Sequence, residues 1–400
     1  SGDSYSDLLG SGPELNETIY QLLSLLHLSG SLLQARLLQA LVGLSSPPCA
    51  RVLRETMREA GCIEVLVSFY MVTADAEVRL YALKLLYVVT QDGGGQTLAK
   101  EMGVKPLTSL VELLMLESSP DDVKSSVMGI LQHIPVDNNS ITELMVEGGL
   151  LQVVLGILQK AASKDCIKRE LLENTIGVLV RFTCPSNVSL QRYVAEKGII
   201  PVLLRLLRSG SHVTKCRAAI SLGQLSESTL NTTCHSSKKK ERGSFWCFTH
   251  SSPQLPEDLC KVHGGTCSIE KSFCLLEAQA LPLLIKTLEE KEPAVVEAAL
   301  GALATLLYDE FWEQGADAIA EERGVGPIVR LLTTGTPRVQ ESALWILERF
   351  FRRNTFREKY GNMAQMALIS LTQDGTNKAR HYAARILAHL NILQEQSSYF

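Results

Sequence analysis

The segment EKGIIPVLLRLL, which begins at Glu196, is one copy of a pattern that returns along the chain and restricts its fold more than any other feature. Other copies are EAGCIEVLVSF from Glu59, EMGVKPLTSLVELL from Glu101, EGGLLQVVLGIL from Glu147, EAQALPLLIKTL from Glu277 and ERGVGPIVRLL from Glu322. Each is followed by a longer amphipathic stretch, among them AEVRLYALKLLYVV from Ala76, HVTKCRAAISLGQLS from His212, PAVVEAALGALATLL from Pro293 and PRVQESALWILERFF from Pro337. Apolar residues there fall at i, i+3, i+4 and i+7, which is one face of a helix. Such a face must be covered, and a unit of a few helices covers it against the next copy. Turns spaced about 40 to 50 residues apart therefore predict stacked helical units.

The turn chemistry sharpens this reading. Gly61, Gly103, Gly198 and Gly324 are expected to take the left-handed conformation that closes a helix, where glycine carries no Cβ penalty. Pro106, Pro201, Pro282 and Pro327 fall in the first turn of the next helix, where a missing N–H does no harm. A Gly-h-h-P-h-h-x-h-h segment (h, apolar) followed by a V-x-x-x-A-L-x-x-L helix is similar to the armadillo unit; HEAT repeats lack that glycine turn. The expected fold class is all-α, an armadillo-repeat right-handed superhelical solenoid. One domain over 1–400, of about eight units, should present a concave groove, with Asn377 to Leu393 as the closing helix.

Composition excludes several function classes. The net charge of −4 gives no broad basic surface, so no nucleic-acid partner is expected. No apolar run approaches the roughly 20 residues that span a bilayer, and residues 1–20 do not read as a signal peptide. The expected location is cytoplasmic. No P-loop, G-x-S-x-G, H-E-x-x-H or dinucleotide fingerprint occurs, and pairs such as Glu321-Glu322 and Asp121-Asp122 sit at helix starts, where they complement the helix dipole. No catalytic residue and no cofactor are expected.

Binding is then expected along the inner helices. Armadillo nuclear-import receptors read basic peptides with a Trp and, four residues on, an Asn. Aligned on the A-L-x-x-L core, this chain carries Lys84/Val88, Met128/Gln132, Ile176/Val180, Ile220/Gln224, Gly301/Thr305, Trp345/Arg349 and Arg385/His389 at those places. Only Trp345 matches, so import-receptor function is not expected. The inner surface is instead weighted toward Arg338, Arg349, Arg352, Arg353, Arg380 and Arg385, against Glu341 and Glu348. Arginine pairs carboxylates and phosphates bidentately, so Trp345, Arg349, Arg353, Arg385, His389, Gln224 and Gln132 form the candidate partner groove for an acidic or phosphorylated segment. The competing reading is a solvated face of i,i+4 ion pairs.

The spacing breaks once, in an insertion over 227–276 that holds KKKERGSFWCF from Lys238. Cys247-x2-His250 and Cys260-x2-His263 resemble two zinc knuckles about ten residues apart, with Cys267 as a substitute ligand. The basic run beside Phe245, Trp246 and Phe248 also suits an anchor at an anionic membrane surface. The reading preferred over both is a packed insertion without zinc, pinned to neighbouring units by Trp246 and Phe248.

KKKERGSFWCF, CKVHGGTCSIEKSFCLLEA from Cys260, the E-A-A-L-x-A-L-x-T-L-L helix and the ending HYAARILAHLN together resemble the armadillo region of plant U-box ubiquitin ligases, of the senescence-associated type. That resemblance implies a region that selects protein substrates or regulators and supports plasma-membrane association, in immunity, senescence or stress signalling. It also implies a U-box that recruits the ubiquitin-conjugating enzyme. No C-P-I start or D-P-V segment of a U-box occurs here, and Ser1-Gly2 reads as a cloning scar on the C-terminal part of a longer protein, so this chain alone is expected to be catalytically silent. The alternative is a stand-alone scaffold or membrane-associated adaptor without ligase activity.

Overall fold

The protein is described by a computed structural model that covers residues 12–136, 139–163, 167–233, 259–308 and 311–390. No β-strand occurs among the described residues. By internal contacts the chain divides into two compact units, Ser1–Arg181 and Phe182–Phe400.

The first unit opens with helices Gly12–Leu28 and Ser31–Ser45. Three triplets of helices follow: Arg51–Glu59, Cys62–Val72 and Ala76–Thr90; Gly95–Glu101, Val104–Met115 and Asp121–His133; Asn139–Glu147, Leu150–Ala162 and Arg169–Phe182. The third helices are the inner ones, and Ser31–Ser45, Ala76–Thr90 and Asp121–His133 pack one against the next. Leu66, Leu83, Leu86, Leu110, Leu131 and Leu158 are wholly buried. Each such side chain contributes about 1.5–3 kcal/mol of burial free energy.

In the second unit the triplet Val188–Glu196, Ile199–Ser209, His212–Glu227 is regular. The next keeps only its second and third helices, Leu281–Thr287 and Pro293–Ala304; two four-residue turns, Thr229–Thr232 and Ile269–Ser272, occupy the chain before them. Trp312–Glu321, Val325–Thr334 and Pro337–Phe350 form another triplet. In the last, the first two helices run together as Asn354–Asp374 before Asn377–His389. The inner helices His212–Glu227, Pro293–Ala304, Pro337–Phe350 and Asn377–His389 pack in series.

Several inner helices start on a side-chain cap: Asp75 accepts from the Glu77 and Val78 amides, Ser211 from Thr214 and Thr376 from Ala379. Gly61 and Gly198 are left-handed, with φ of 75° and 78°, as their spacing predicts. Gly103 and Gly324 are not: both have φ near −73°, at −74° and −72°. Beside Gly324 it is Arg323 that turns left-handed, with φ of 60°. Glycine is needed at 324 for space, since a Cβ there would stand 2.7 Å from Ile319 Cγ2 and 3.0 Å from Ile285 Cδ1. Among the described residues, no single helix is long and apolar enough to cross a membrane.

Candidate functional site

Inner helices end with carbonyls that lack intrahelical partners, and in this protein arginines meet many of them. In the first unit, Arg58 donates to the carbonyls of Val89 and Gln91, and Arg181 to those of Ile134 and Pro135. In the second, Arg349 donates to Leu307 O at 3.2 Å and Arg357 to His389 O at 3.1 Å. A share of the arginines is thereby committed to joining successive helical layers.

In the second unit three arginines surround one carboxylate. Glu348, on the Pro337–Phe350 helix, is 1% exposed. Arg352 holds it with two hydrogen bonds, Nε to Oε1 at 3.0 Å and Nη2 to Oε2 at 2.8 Å. Arg385 reaches Oε1 at 3.0 Å and Arg349 reaches Oε2 at 3.6 Å. His389 Nε2 lies 3.7 Å from Oε1. Burial pushes the Glu348 pKa upward, but the Arg352 hydrogen bonds and the charges of Arg352, Arg385 and Arg349 outweigh it and hold the carboxyl below its ordinary range. Three guanidinium groups around one carboxylate leave a surplus of positive charge, and the side chains of Arg385 and Arg352 are 48% and 40% exposed.

Trp345 lies one turn before Arg349, whose guanidinium carbon sits 3.3 Å from the centre of the indole ring. Tyr308 meets Trp345 edge-on at 5.4 Å. Burial lowers the Arg349 pKa and Glu348 raises it, with burial prevailing; a guanidinium remains charged under these conditions. Burial and Glu227 raise the Tyr308 pKa, so its phenol stays neutral. Arg349 and Tyr308 line a cavity of about 440 Å³ together with Glu227, Asn231, His263 and Phe311. A larger cavity of about 540 Å³ is bordered by helix ends bearing Glu289, Lys291 and Arg330, which carry no comparable arrangement.

The other expected groove residues fare differently. Gln224 already accepts from Thr183 Oγ1 at 2.6 Å. Arg353 is not on the inner helix: it precedes Asn354–Asp374, bonds Asp317 at 2.6 Å and lies over the Phe356 ring. Gln132, in the first unit, donates to Asn174 at 2.9 Å. Asn174, which the alignment on the A-L-x-x-L core missed, is 3% exposed and also receives Tyr87 Oη at 3.2 Å. The residue that alignment put at the groove two positions later, Ile176, is wholly buried. Phe245, Trp246, Cys247, Phe248 and His250 lie outside the described residues, so the membrane-anchor and aromatic-pin readings concern residues without a described position. Of the paired knuckles, only Cys260 and His263 are described, and they meet Cys267 and Cys274.

The folded units define an all-α, armadillo-repeat protein. An engineered protein of known structure matches it with a TM-score of 0.53 at 18% identity, covering 93% of this chain and 88% of its own. Computationally designed armadillo repeat proteins for modular peptide recognition match with a TM-score of 0.50 at 18% identity, covering 71% of this chain and 99% of theirs.

Relatives that span nearly the whole chain are plant U-box domain-containing proteins. U-box domain-containing protein 44 of Arabidopsis thaliana is 28% identical over 398 residues, and U-box domain-containing protein 43 of the same plant 29% over 402. U-box domain-containing protein 24 of Oryza sativa subsp. japonica is 26% identical over 408 residues. Each alignment covers 96% of this chain and 49% of the relative, so the chain spans about half the length of the curated relatives it matches. No family model matches the chain. The fold and these relatives are consistent with a protein-interaction region.

A pH dependence follows from Glu348. A carboxyl whose pKa is depressed by folding adds stability above its unfolded pKa, and that stability is lost as pH falls through the folded value. Thermal melting from neutral pH into the acid range should therefore fall more steeply for the parent than for Glu348→Gln. Parallel curves would remove Glu348 from the acid limb.

Proposed function

We propose that this chain is the protein-recognition region of a plant U-box ubiquitin ligase, which holds an acidic or phosphorylated segment of a target or regulatory protein against the inner helices of its second unit. The observation that carries the reading is the Arg349 guanidinium stacked on Trp345 at the wall of the 440 Å³ cavity, beside arginines that outnumber their carboxylate. A half-buried aromatic that holds an arginine rigid is the type of pair that dominates protein interfaces. Arg352 and Arg385 keep enough exposure to reach a second anion without releasing Glu348.

Transfer chemistry in this proposal belongs to a U-box and its conjugating enzyme, not to the helices described above. A cytoplasmic location, peripheral contact with the plasma membrane, and a role in immunity, senescence or stress signalling are part of the proposal; the last two rest on the family resemblance.

The test uses a photo-crosslinking residue in place of Asn231, on the wall of the same cavity, in the U-box-bearing protein to capture its partner in plant extract. The captured protein is then offered, with activating enzyme, conjugating enzyme and ubiquitin, to that protein and to a form lacking residues 12–390. Ubiquitination only by the form that retains the chain is expected. Equal modification by both contradicts the reading.

A further inference from the structure

Five other triplets open with a helix of seven to ten residues: Arg51–Glu59, Gly95–Glu101, Asn139–Glu147, Val188–Glu196 and Trp312–Glu321. The triplet completed by Pro293–Ala304 has none. The four-residue turns Thr229–Thr232 and Ile269–Ser272 stand in that place, and a single helical turn does not offset its own nucleation cost. The surrounding chain is nevertheless core: Val262, Phe273, Cys274 and Leu275 are at most 1% exposed. Phe273 also holds a left-handed φ of 58°, a conformation unfavourable for a bulky residue. Something beyond local helix formation has to fix this segment.

Four side chains converge there with the spacing C-x2-H-x3-C-x6-C. His263 Nδ1 lies 3.4 Å from the sulfurs of Cys260 and Cys267 and 3.5 Å from that of Cys274. Cys260 and Cys274 sulfurs are 3.9 Å apart, and all four ligand atoms lie within 4.8 Å of one another. A disulfide requires about 2.05 Å, so the sulfurs are not bonded. A tetrahedron with Zn–S near 2.3 Å and Zn–N near 2.0–2.1 Å has edges of about 3.6–3.8 Å, and the His263–sulfur and Cys260–Cys274 separations, 3.4 to 3.9 Å, lie close to those lengths.

The backbone aims the ligands. Gly264 donates to Cys260 O and Cys260 to Gly265 O, both at 2.9 Å, and Gly264 turns left-handed with φ of 65°. Cys260 and His263 are thereby folded to one side. Ser268 caps the Ile269–Ser272 turn between Cys267 and Cys274, and Thr233 Oγ1 lies 3.4 Å from Cys267 Sγ. Cys260, His263 and Cys274 are buried and Cys267 is half-buried.

We propose that Cys260, His263, Cys267 and Cys274 bind one Zn²⁺ in a closed tetrahedral site, which fastens the insertion where the other triplets carry a first helix. Three thiolates and an imidazole suit zinc; calcium and magnesium take oxygen ligands. With four protein ligands no position is left for water or substrate, so the ion is structural. Binding releases the thiol protons to solvent and couples metal affinity to folding. This departs from the sequence expectation of an insertion without zinc: Cys274, not a residue of the Cys247 pair, completes the set.

The test is elemental analysis of the purified, untagged chain. About one zinc per chain is expected, and the Co²⁺-substituted chain should show the absorption of a tetrahedral thiolate site. Chelator should remove the ion and lower the melting temperature of the parent, and added Zn²⁺ should restore it, so the result does not depend on whether Cys274→Ser folds. Cys247→Ser with His250→Ala should keep its zinc. A metal-free chain whose melting is indifferent to chelator and Zn²⁺, a Cys260–Cys274 disulfide in the native protein, or zinc lost with the Cys247 and His250 changes would each overturn the proposal.

Discussion

Replacing Glu348 with alanine is expected to destabilise the second unit by about 2–3 kcal/mol, less than for a fully buried ion pair because Arg352 and Arg385 keep contact with solvent. The carboxylate is 1% exposed and lies between Arg349, Arg352 and Arg385. Its loss leaves those cations facing one another around a cavity. For a body of this size the melting temperature should fall by roughly 4–12 °C. Calorimetry of the variant measures this, and a change within about 0.5 kcal/mol of the parent would make the cluster an ordinary surface network. In the same geometry Arg349 and Arg385, expected as groove residues, also hold Glu348. Reversing both to glutamate would set two more carboxylates against Glu348, so lost binding in that variant would be confounded with lost packing.

Trp345 is the cleaner probe of binding. Trp345→Ala is expected to weaken capture of an acidic segment by roughly 30-fold, which corresponds to about 2 kcal/mol. The indole supplies contact area and also holds the Arg349 guanidinium in place. Trp345→Phe should recover part of the loss, because a phenyl ring can still stack on the guanidinium. Titration of a labelled phosphopeptide with parent and variants gives the comparison. Equal affinity in Trp345→Ala would reduce the stack to packing between helices.

Much of the fold was legible because helical solenoids write their contacts locally. The apolar spacing in PAVVEAALGALATLL or PRVQESALWILERFF names the buried face without knowledge of any distant residue. Glycine turns were less transparent. Gly61 and Gly198 answer to backbone conformation and Gly324 to the nearness of Ile319 and Ile285, and a sequence prints the same letter for both causes. The Arg169–Phe182 helix lacks the A-L-x-x-L core, so alignment on that core points to the buried Ile176 rather than to Asn174.

The candidate site was legible as an excess of arginine, but not as a sphere around Glu348. The pairing of Arg385 with Glu348 joins two helices, and no spacing within either helix records it. Arg357 and Arg349, which meet the ends of neighbouring layers, look in sequence like any surface arginine. The Cys/His cluster was half visible. Pairing Cys260-x2-His263 with the similar Cys247-x2-His250 is natural on spacing alone, whereas the turn at Gly264 and the Ile269–Ser272 turn bring Cys267 and Cys274 to His263.

The most direct measurement of the central claim compares two labelled peptides of equal length, one rich in phosphoserine and glutamate and one rich in lysine and arginine, titrated into the purified chain by fluorescence anisotropy. The proposed site predicts that the acidic peptide binds, that its affinity falls as salt rises, and that Trp345→Ala weakens it. Tighter binding of the basic peptide, or acidic binding that ignores the Trp345 change, would contradict the account.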